Sequence, residues 1–443
     1  MIKNRAGLER FHGKQSALVL SALEAAIKSV DPDTLVKKSL TFKDRTLVAR
    51  DITGKNFTIK EFKDIYVVGA GKASAAMAAA VTNILKGRIV GGAINVPRGT
   101  GAEIDCVSIT HASHPVPDGE GERGTKKIID VLERAGLDDL VIVVISGGGS
   151  ALMPLPAKGL TLKDKQEATS ALLASGATIQ EINSVRKHLS AVKGGQLARY
   201  TKSRVLSLIL SDVIGDDLAV IASGPIFPDS TTFSDARHVL EKYRITNIKA
   251  AQYVAKGARG LIKETPKPGD PVFRRVANVL VGNNEFACKN AVSYLRAKKV
   301  CTEYLGSGFD GEAHEFGAFL VRLAGDIKSK SAFALVAGGE TTVRLGKKSG
   351  KGGRNQEAAL ACALGGLKGV AAFLGTDGID GNSDAAGALI SGKSGALAEK
   401  VSAKTFLEKH DSYRALKKMG SLIFTGYTGT NVNDIAIVYK ASQ

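Results

Sequence analysis

A short apolar run that ends in a glycine-rich loop constrains the fold of this chain more than any other feature. Leu140–Ile145 contains only Leu, Val and Ile, and three glycines between two serines, Ser146–Ser150, follow it directly. A run this short and this rich in β-branched residues is typical of a strand buried on both faces. Consecutive glycines let neighbouring backbone N–H groups turn toward one point, which forms an anion-binding nest. The segment therefore predicts a buried strand followed by a candidate anion-binding loop. The alternative is a loop whose glycines only permit close packing.

The same succession of an apolar strand and a glycine-containing loop recurs along the chain. It is found at Ile65–Gly71, Leu206–Gly215, Val279–Asn284, Ala332–Glu340 and Val370–Gly378. Strands that alternate with helical patterns predict an α/β fold built on parallel strands. Open α/β sheets bind ligands at the carboxyl ends of their strands. Because glycines, Lys, Arg and Asp cluster at those ends, we expect one cleft that handles phosphate.

A proline-rich stretch indicates where the chain divides. Its 443 residues predict two or three domains. The densest proline cluster, Thr265–Pro271, is typical of a surface loop near a domain boundary. We therefore predict one domain over residues 1–255, which begins as a doubly wound α/β sheet, and a second α/β domain over residues 256–443.

The charge balance separates two classes of partner. Lys and Arg number 61 against 43 Asp and Glu, a formal net charge of +18. Such an excess fits nucleic acid or a small acidic substrate drawn in by the overall field. The basic residues are spread out, Trp is absent and aromatic residues make up 5% of the chain, whereas single-strand binders interleave aromatic with basic side chains. The composition favours a small acidic substrate and no nucleic acid.

The cysteines and the apolar runs bear on location. The four cysteines are scattered without a C-x-x-C pair, which argues against a zinc or redox site and suits a reducing cytosol. His111 and His114, three apart and bounded by proline, are interpreted as structural. No apolar run approaches the ~18 residues that span a bilayer. We expect a cytoplasmic protein with no membrane partner. The sequence is compatible with a homo-oligomer.

The turn after the first strand of the pattern is an incomplete nucleotide motif. It is no Walker A loop, since Tyr66 stands where the first glycine belongs, and Ser74 occupies the third glycine position of a dinucleotide fingerprint. Gly69 and Gly71 precede Lys72, which falls in the first turn of a predicted helix, where a cation opposes the helix dipole. A bound phosphate would remove that conflict. The alternative is a tight turn with a solvent-facing lysine.

A predicted helix near residue 186 carries basic and amide side chains on one arc. Asn183, Arg186 and Lys193 are separated from the apolar stripe, because residues three and four apart share a helix face. Arginine binds carboxylates and phosphates through two parallel hydrogen bonds. The arc is a candidate anion site, and the alternative is an ordinary solvated basic face.

Acidic residues follow further strands. Asp212 comes just after a buried strand, where a carboxylate can hold Mg²⁺, accept a hydroxyl proton or cap the next turn.

In the second half, Arg354 ends a flexible basic loop that starts at Gly346 and is a mobile cation suited to a transferring phosphoryl group. The acidic turn at 377–384 lacks the glycine and glutamate of a calcium loop. It is interpreted as orienting Arg354 or coordinating Mg²⁺.

Taken together, these motifs resemble the glycerate 2-kinases, and the resemblance covers nearly the whole chain. Tyr427 is one departure, since that family usually has proline there, and it puts the local turn shape in doubt. The motifs that carry the resemblance are Val68–Lys72, Ser146–Leu152, Ile182–Ser190, Lys193–Gly195, Ser211–Val213, Ser223–Pro225, Gly338–Thr342, Gly353–Glu357 and Gly375–Gly381.

The resemblance implies both a fold and an activity. The fold is α/β with two α/β/α domains: a Rossmann-like, mostly parallel sheet first, then a smaller mixed sheet of the MOFRL type, with the active site in the cleft between them. The activity is transfer of the γ-phosphoryl group of ATP to the 2-hydroxyl of D-glycerate, with Mg²⁺ or another divalent cation as cofactor. Residue chemistry alone stops at binding or transferring phosphate on a small acid. Phosphorylation at the 3-hydroxyl, a hydroxypyruvate reductase and a non-catalytic nucleotide sensor are the alternatives.

The expected roles follow from these motifs. The family's Lys and Arg match Lys72 and Arg354, which would neutralise the transferring group, and Asp212 would orient or deprotonate the hydroxyl. Asn183 and Arg186 are candidates for the glycerate carboxylate. The other candidate binding residues are Gly69, Gly71, Ser146, Gly147, Gly148, Gly149, Ser150, Lys193, Glu340, Asn355 and Asp377. The candidate metal ligands are Asp212, Asp377 and Asp380.

Overall fold

The computed structural model describes residues 1–346 and 349–442. Lys347 and Lys348, which belong to the predicted flexible basic loop, lie outside the described residues. The chain forms two compact units. One is Pro32–Val281, called here the parallel-sheet unit, and the other combines Met1–Asp31 with Gly282–Gln443 and is called the mixed-sheet unit.

Strands and helices alternate through most of the chain. The strands are β1 (Leu40–Lys43), β2 (Thr46–Arg50), β3 (Asn56–Ile59), β4 (Ile65–Ala70), β5 (Ile89–Pro97), β6 (Val107–Ala112), β7 (Leu140–Ile145), β8 (Arg204–Leu210), β9 (Val276–Gly282), β10 (Cys301–Phe309), β11 (Phe333–Gly339), β12 (Val370–Gly375), β13 (Gly387–Ser391), β14 (Leu422–Ile423) and β15 (Asp434–Lys440). The helices are α1 (Arg5–His12), α2 (Lys14–Ser29), α3 (Pro32–Ser39), α4 (Ser74–Ile84), α5 (Gly119–Arg134), α6 (Gly149–Leu152), α7 (Leu162–Ala174), α8 (Ile179–His188), α9 (Phe233–Lys242), α10 (Lys249–Ala258), α11 (Asn284–Ala297), α12 (Ala313–Asp326), α13 (Arg354–Leu364), α14 (Ser394–Lys400), α15 (Ala403–Glu408) and α16 (Ser412–Lys418). Short 3₁₀ helices occur at Gln196–Tyr200, Ile221–Ser223 and Pro271–Arg275.

The parallel-sheet unit is built on a six-stranded sheet in the order β6-β5-β4-β7-β8-β9. The pairs β4–β5, β4–β7, β5–β6 and β7–β8 are parallel, and β4 and β7 run in register from Ile65 opposite Leu140 to Ala70 opposite Ile145. Every residue of β7 is buried, because helices α4 and α5 pack on the sheet. The predicted mostly parallel sheet is confirmed, and the loops after β4, β7 and β8 leave the sheet at one edge.

Four helices form a separate layer of the parallel-sheet unit. α7, α8, α9 and α10 pack around an apolar cluster that includes Leu172, Val185, Phe233 and Val254. A capping box begins α8, in which the Thr178 side chain accepts from the Glu181 N–H and the Glu181 carboxylate accepts from the Thr178 N–H. This cap and the buried apolar stripe fix the rotation of α8, and therefore the direction in which its basic residues point.

The mixed-sheet unit is built on a second six-stranded sheet in the order β10-β11-β15-β12-β13-β14. β10 and β11 are parallel, whereas the remaining pairs are antiparallel, so the predicted mixed sheet is confirmed. Helices α12 and α13 cover the face that carries Leu335 and Ala337. Helix α11 covers the opposite face, where a side chain at Gly338 would collide with Asn284 and Cys288.

The amino-terminal segment is part of the mixed-sheet unit. Helix α2 packs against α11 and contacts β12 and β15. The N–H of Lys3 donates to the carbonyl of Phe424 at 2.7 Å, and the Thr430 hydroxyl donates to the carbonyl of Val30 at 2.7 Å. Among the described residues, no helix combines the length and apolar character needed to cross a bilayer.

These units differ from the predicted division into residues 1–255 and 256–443. The apolar stripe of α2 is buried with the mixed sheet rather than with the strand that follows it in sequence. Strand β9, beyond the predicted boundary, adds an edge to the parallel sheet. The proline cluster Thr265–Pro271 therefore lies inside the parallel-sheet unit, and the chain passes between units near residues 31 and 281.

We predict that Leu23→Ala lowers the free energy of unfolding by about 2–5 kcal/mol, because Leu23 is completely buried on α2 and its truncation leaves a cavity. Lys28→Ala, an exposed change on the same helix, should stay within about 0.5 kcal/mol. Urea denaturation followed by circular dichroism measures both variants. Equal stabilities would show that α2 is not integral to the fold.

Candidate functional site

The carboxyl ends of β4 and β7 meet directly in the parallel-sheet unit. The N–H of Lys72, just after β4, donates to the carbonyl of Gly147 in the loop after β7 at 2.8 Å. A side chain at Gly148 would approach Cγ of Lys72 at 3.5 Å and the ring of His114 at 2.9 Å. Asp212 follows the adjacent strand β8 and is half-buried. The structure thus brings Lys72, the three-glycine loop and Asp212 to one edge of the sheet.

The glycines after β4 allow a close approach to β7. A Cβ at Gly69 would collide with the carbonyl of Val144, and one at Gly71 would collide with the Ser146 hydroxyl. The N–H of Gly71 donates to the carbonyl of Asn95 at 3.2 Å, and that of Ala73 donates to Oγ of Ser146 at 2.9 Å. These N–H groups already donate hydrogen bonds within the protein. The glycines after β4 therefore serve to let β4 pack closely against β7.

The loop after β7 has the geometry of an anion nest. Gly148 adopts φ +81°, in the left-handed region that favours glycine. Within residues 1–346 and 349–442, no acceptor lies within hydrogen-bond reach of the N–H groups of Gly147 and Gly148. Two successive donors around a left-handed residue form a concave surface that suits an anionic oxygen.

A chain of polar side chains leads from this loop to α8. Nζ of Lys193 donates to the carbonyl of Ser150 at 2.7 Å and to its hydroxyl at 2.9 Å. The Ser150 hydroxyl lies 2.9 Å from that of Ser223, which donates to Oδ1 of Asn183 at 3.1 Å. Because Oδ1 accepts, the Nδ2 end of Asn183 is the end that can donate to a ligand. The predicted residues Ser150, Asn183 and Lys193 are therefore neighbours.

Buried cations lie beside this chain. Lys165 on α7 and Lys193 are both buried, and Nζ of Lys165 donates to the carbonyls of Pro154 at 3.0 Å and Leu155 at 3.2 Å. Arg186 makes a weak contact of 3.5 Å with Thr169. In the described part of the chain, none of Lys165, Arg186 and Lys193 forms an ion pair with a carboxylate.

This arrangement lowers the pKa of all three groups. Burial lowers the pKa of Lys165 to about 7, Arg186 lowers it further, and Glu122 acts in the opposite direction. Burial followed by repulsion from Lys165 and Arg186 lowers the pKa of Lys193, and burial lowers that of Arg186. Basic groups gathered in a low-dielectric region, with no carboxylate in an ion pair with them in the described chain, favour the binding of an anion.

The mixed-sheet unit holds a different arrangement around Arg354, the first residue of α13. Asp434 begins β15 and lies between the ends of β11 and β12. Its carboxylate accepts from Nε of Arg354 at 2.5 Å and from Nη2 at 3.2 Å, while Glu340 lies 3.2 Å from Nη1. Burial works to lower the pKa of Arg354, but Asp434, Glu340 and Asp380 together raise it. The guanidinium stays charged and one third exposed.

Asp380 acts as a cap for α13. Its two carboxylate oxygens accept from the N–H groups of Asn355 at 3.1 Å and Gln356 at 2.9 Å, and from both of their side-chain amides. Burial and then repulsion from Asp434 raise its pKa to about 6, against these hydrogen bonds. Asn355 also donates to Asp434 at 2.9 Å. Asp380 therefore caps the first turn of α13, the helix that begins at Arg354.

The described residues contain no group of three or more His, Cys, Asp or Glu side chains that could hold a metal ion. Mg²⁺ commonly takes one or two carboxylates and completes its shell with water and phosphate oxygens. Asp212 and Asp377, the other two predicted metal ligands, are each half-buried just after a strand. Both oxygens of Asp380 are engaged by amide donors, so it offers less to a metal.

Family models match both halves of the chain. Residues 18–256 match a domain of unknown function (DUF4147), and residues 333–434 match the MOFRL family. The glycerate 2-kinase of Pyrococcus horikoshii is 39% identical over 430 residues, which cover 94% of this chain and 96% of the relative. The chain belongs to the glycerate 2-kinase family.

Two further proteins are similar to this chain. The crystal structure of glycerate kinase from Thermotoga maritima superposes with a TM-score of 0.83 at 38% identity, covering 96% of this chain and 99% of that one. A putative hydroxypyruvate reductase of Agrobacterium vitis is 40% identical over 427 residues, or 94% of this chain and 92% of the relative. Proteins similar to this chain thus carry two different activity names.

Sequence reasoning missed several members of the site in this glycerate 2-kinase family member. Lys165 aligns with buried Ala168 and Leu172 on α7, so a lysine on an apolar stripe was the available signal. Asp434 starts an otherwise buried strand, which is a comparable signal. Ser223 and His114 lie in motifs that the sequence analysis noted, but their proximity to the β7 loop had no local signal because it depends on the tertiary fold.

We expect Asp380→Ala to destabilise the protein by about 2–5 kcal/mol, because several buried amide donors lose their acceptor. Asp384→Ala is the matched control, since that exposed carboxylate on the same turn contacts the side chains of Lys351 and Tyr413, and it should cost about 0–1 kcal/mol. Denaturant midpoints compare the two. A mild effect of Asp380→Ala would contradict the capping role.

Proposed function

We propose that this protein transfers the γ-phosphoryl group of ATP to the 2-hydroxyl of D-glycerate, giving 2-phosphoglycerate and ADP. The observation that carries the proposal is the cluster of buried cations next to the three-glycine loop. Such a cluster suits a small carboxylate beside a phosphate, and D-glycerate and its phosphorylated product have those groups. Full-length similarity to proteins named glycerate 2-kinase supports the choice of acid.

Arg186, Asn183 and Lys193 are proposed to hold the carboxylate of D-glycerate. Arg186 is mostly buried and forms no ion pair in the described chain, so a ligand carboxylate would meet little competition for its guanidinium. Asn183 presents its amide donor, and Lys193 adds charge while it anchors Ser150. These contacts would orient D-glycerate so that one of its hydroxyls faces the glycine loop.

Lys72 and the loop Ser146–Ser150 are proposed to contact phosphate oxygens. The N–H groups of Gly147 and Gly148 supply directional donors, Gly149 permits the chain to pass close to Ala70, and Lys72 adds a charge beside them. Gly69 and Gly71 would serve by holding β4 close to β7. Phosphoryl transfer depends mostly on such positioning and charge stabilisation.

Arg354 is proposed to neutralise charge on the transferred group. Asp434 fixes one edge of the guanidinium, and Glu340 and Asn355 complete its setting. Asp212 is proposed to orient or deprotonate the attacking hydroxyl. Bound Mg²⁺, held by carboxylates of the kind found at Asp212 and Asp377, would offset charge on the nucleotide phosphates.

Two alternatives define the controls. Hydroxypyruvate reductase is favoured by the name of the Agrobacterium relatives, yet Ser74 occupies the third glycine position of a dinucleotide fingerprint and its hydroxyl donates to the buried carbonyl of Val144 at 3.3 Å. Phosphorylation at the 3-hydroxyl would use the same contacts with the acid turned around.

We further propose a cytoplasmic protein that binds neither nucleic acid nor membrane, in keeping with four free thiols and few aromatic residues.

The activity is tested by ADP release in the presence of ATP, Mg²⁺ and D-glycerate, with the product passed to enolase. We expect glycerate-dependent ADP release and enolase turnover, because enolase accepts the 2-phosphate. ADP release without enolase turnover would instead indicate the 3-hydroxyl. Oxidation of NADH by hydroxypyruvate, without ADP release in the first assay, would overturn the kinase proposal.

We predict that Arg354→Ala lowers kcat by about 10²–10³-fold, as expected for an arginine that stabilises charge in the transition state. Arg322→Ala, an exposed change on α12, should leave kcat within about twofold. Steady-state kinetics on both variants separates kcat from KM. A raised KM with unchanged kcat would make Arg354 a ground-state binding residue instead.

A further inference from the structure

Lys165 is a buried cation to which sequence reasoning assigned no role. It sits on α7 in line with Ala168 and Leu172, and its ammonium group contacts the carbonyls of Pro154 and Leu155. Those carbonyls belong to the segment that continues from the three-glycine loop. A lysine buried without a carboxylate partner is costly to keep charged, and methionine would fill the same space without that cost.

The groups that face Lys165 are mostly positive. Arg186 approaches from α8, and Lys193 from the segment after α8 is close enough for the two lysines to repel. Glu122 on α5 is the acidic group that acts on Lys165, and it does so without an ion pair within 4.0 Å in the described chain. From α10, Lys249 faces α7 but pairs with Asp164 at the surface.

We propose that Lys165 takes up a proton from solvent when an anionic substrate binds to Arg186 and Lys193, so that substrate binding is coupled to proton binding at this residue. The proposal rests on the proposed function, because it takes the D-glycerate carboxylate as the anion. Lys165 is a positioning residue: in its charged form it holds the Pro154–Leu155 carbonyls and adds to the field that retains the acid.

The sign of the coupling follows from the electrostatics. Burial and like charges disfavour the ammonium form in the free protein, whose pKa falls to about 7. An incoming carboxylate offsets the repulsion and favours the charged form. Linkage then requires that affinity for the acid is highest below the free-protein pKa and falls as the pH rises above it, by up to tenfold per pH unit.

The direct test is isothermal titration of the full-length protein with D-glycerate at pH 8, in HEPES and in Tris. The two buffers differ in ionisation enthalpy, so the difference in heat gives the number of protons taken up. The protein should take up close to one proton from the buffer at Lys165, and the dissociation constant should rise about tenfold from pH 8 to pH 9. Lys163→Met, an exposed change on the same helix, should behave like the unmodified protein.

Lys165→Met should lose at least half a proton of uptake and show a flatter pH profile. Removal of Lys165 also relieves the repulsion on Lys193, which lowers uptake in the same direction. Lys165→Arg, which stays charged at pH 8, should lose the part of the uptake that occurs at residue 165 while it retains affinity. Together the two variants keep the test valid if either one folds poorly.

Glycerate-dependent ADP release in the same preparations separates the two ways of failing. If all variants phosphorylate D-glycerate but Lys165→Met and Lys165→Arg take up as many protons as the unmodified protein, the coupling is overturned and the proposed function stands. If the unmodified protein neither binds nor phosphorylates D-glycerate, the proposed function and the coupling at Lys165 are both overturned.

Discussion

The free-energy cost of burying charge shapes both candidate regions of this molecule. In the parallel-sheet unit, Lys165, Arg186 and Lys193 are gathered without a carboxylate partner in the described chain. In the mixed-sheet unit, the carboxylates of Asp380 and Asp434 lie near Arg354. Both carboxylates accept hydrogen bonds from Asn355, which fixes their positions. The basic cluster in the parallel-sheet unit favours the binding of an anion. In the mixed-sheet unit, Arg354 is already paired with carboxylates of the protein.

The sheets make these arrangements possible. Strands β4 and β7 run in register, so the turn at Lys72 and the loop Ser146–Ser150 leave the parallel sheet side by side. Glycine at position 69 lets β4 approach the Val144 carbonyl, which a larger residue would prevent. In the mixed sheet, antiparallel pairing of β15 with β11 and β12 places Asp434 at the end of both strands, next to the first turn of α13.

The sequence predicted what local pattern controls. The six apolar residues of β7 and the glycines after them identified a buried parallel strand and its loop, and period and spacing placed Arg186 and Asn183 together on α8. The units were harder to predict, because α2 is buried with strands several hundred residues away, a pairing that no local signal encodes. Lys165 and Asp434 were missed for a related reason. A charge on an apolar stripe indicates a partner, but the partner itself is fixed by tertiary packing.

The central claim is that Arg186 and its neighbours bind the carboxylate of the substrate. Isothermal titration of Arg186→Met tests it most directly, with ATP affinity as the internal control. The account predicts that D-glycerate binds about 10–100-fold more weakly, the loss expected for a charge-assisted hydrogen bond, while ATP affinity stays unchanged. Unchanged D-glycerate affinity in a folded Arg186→Met protein would contradict it.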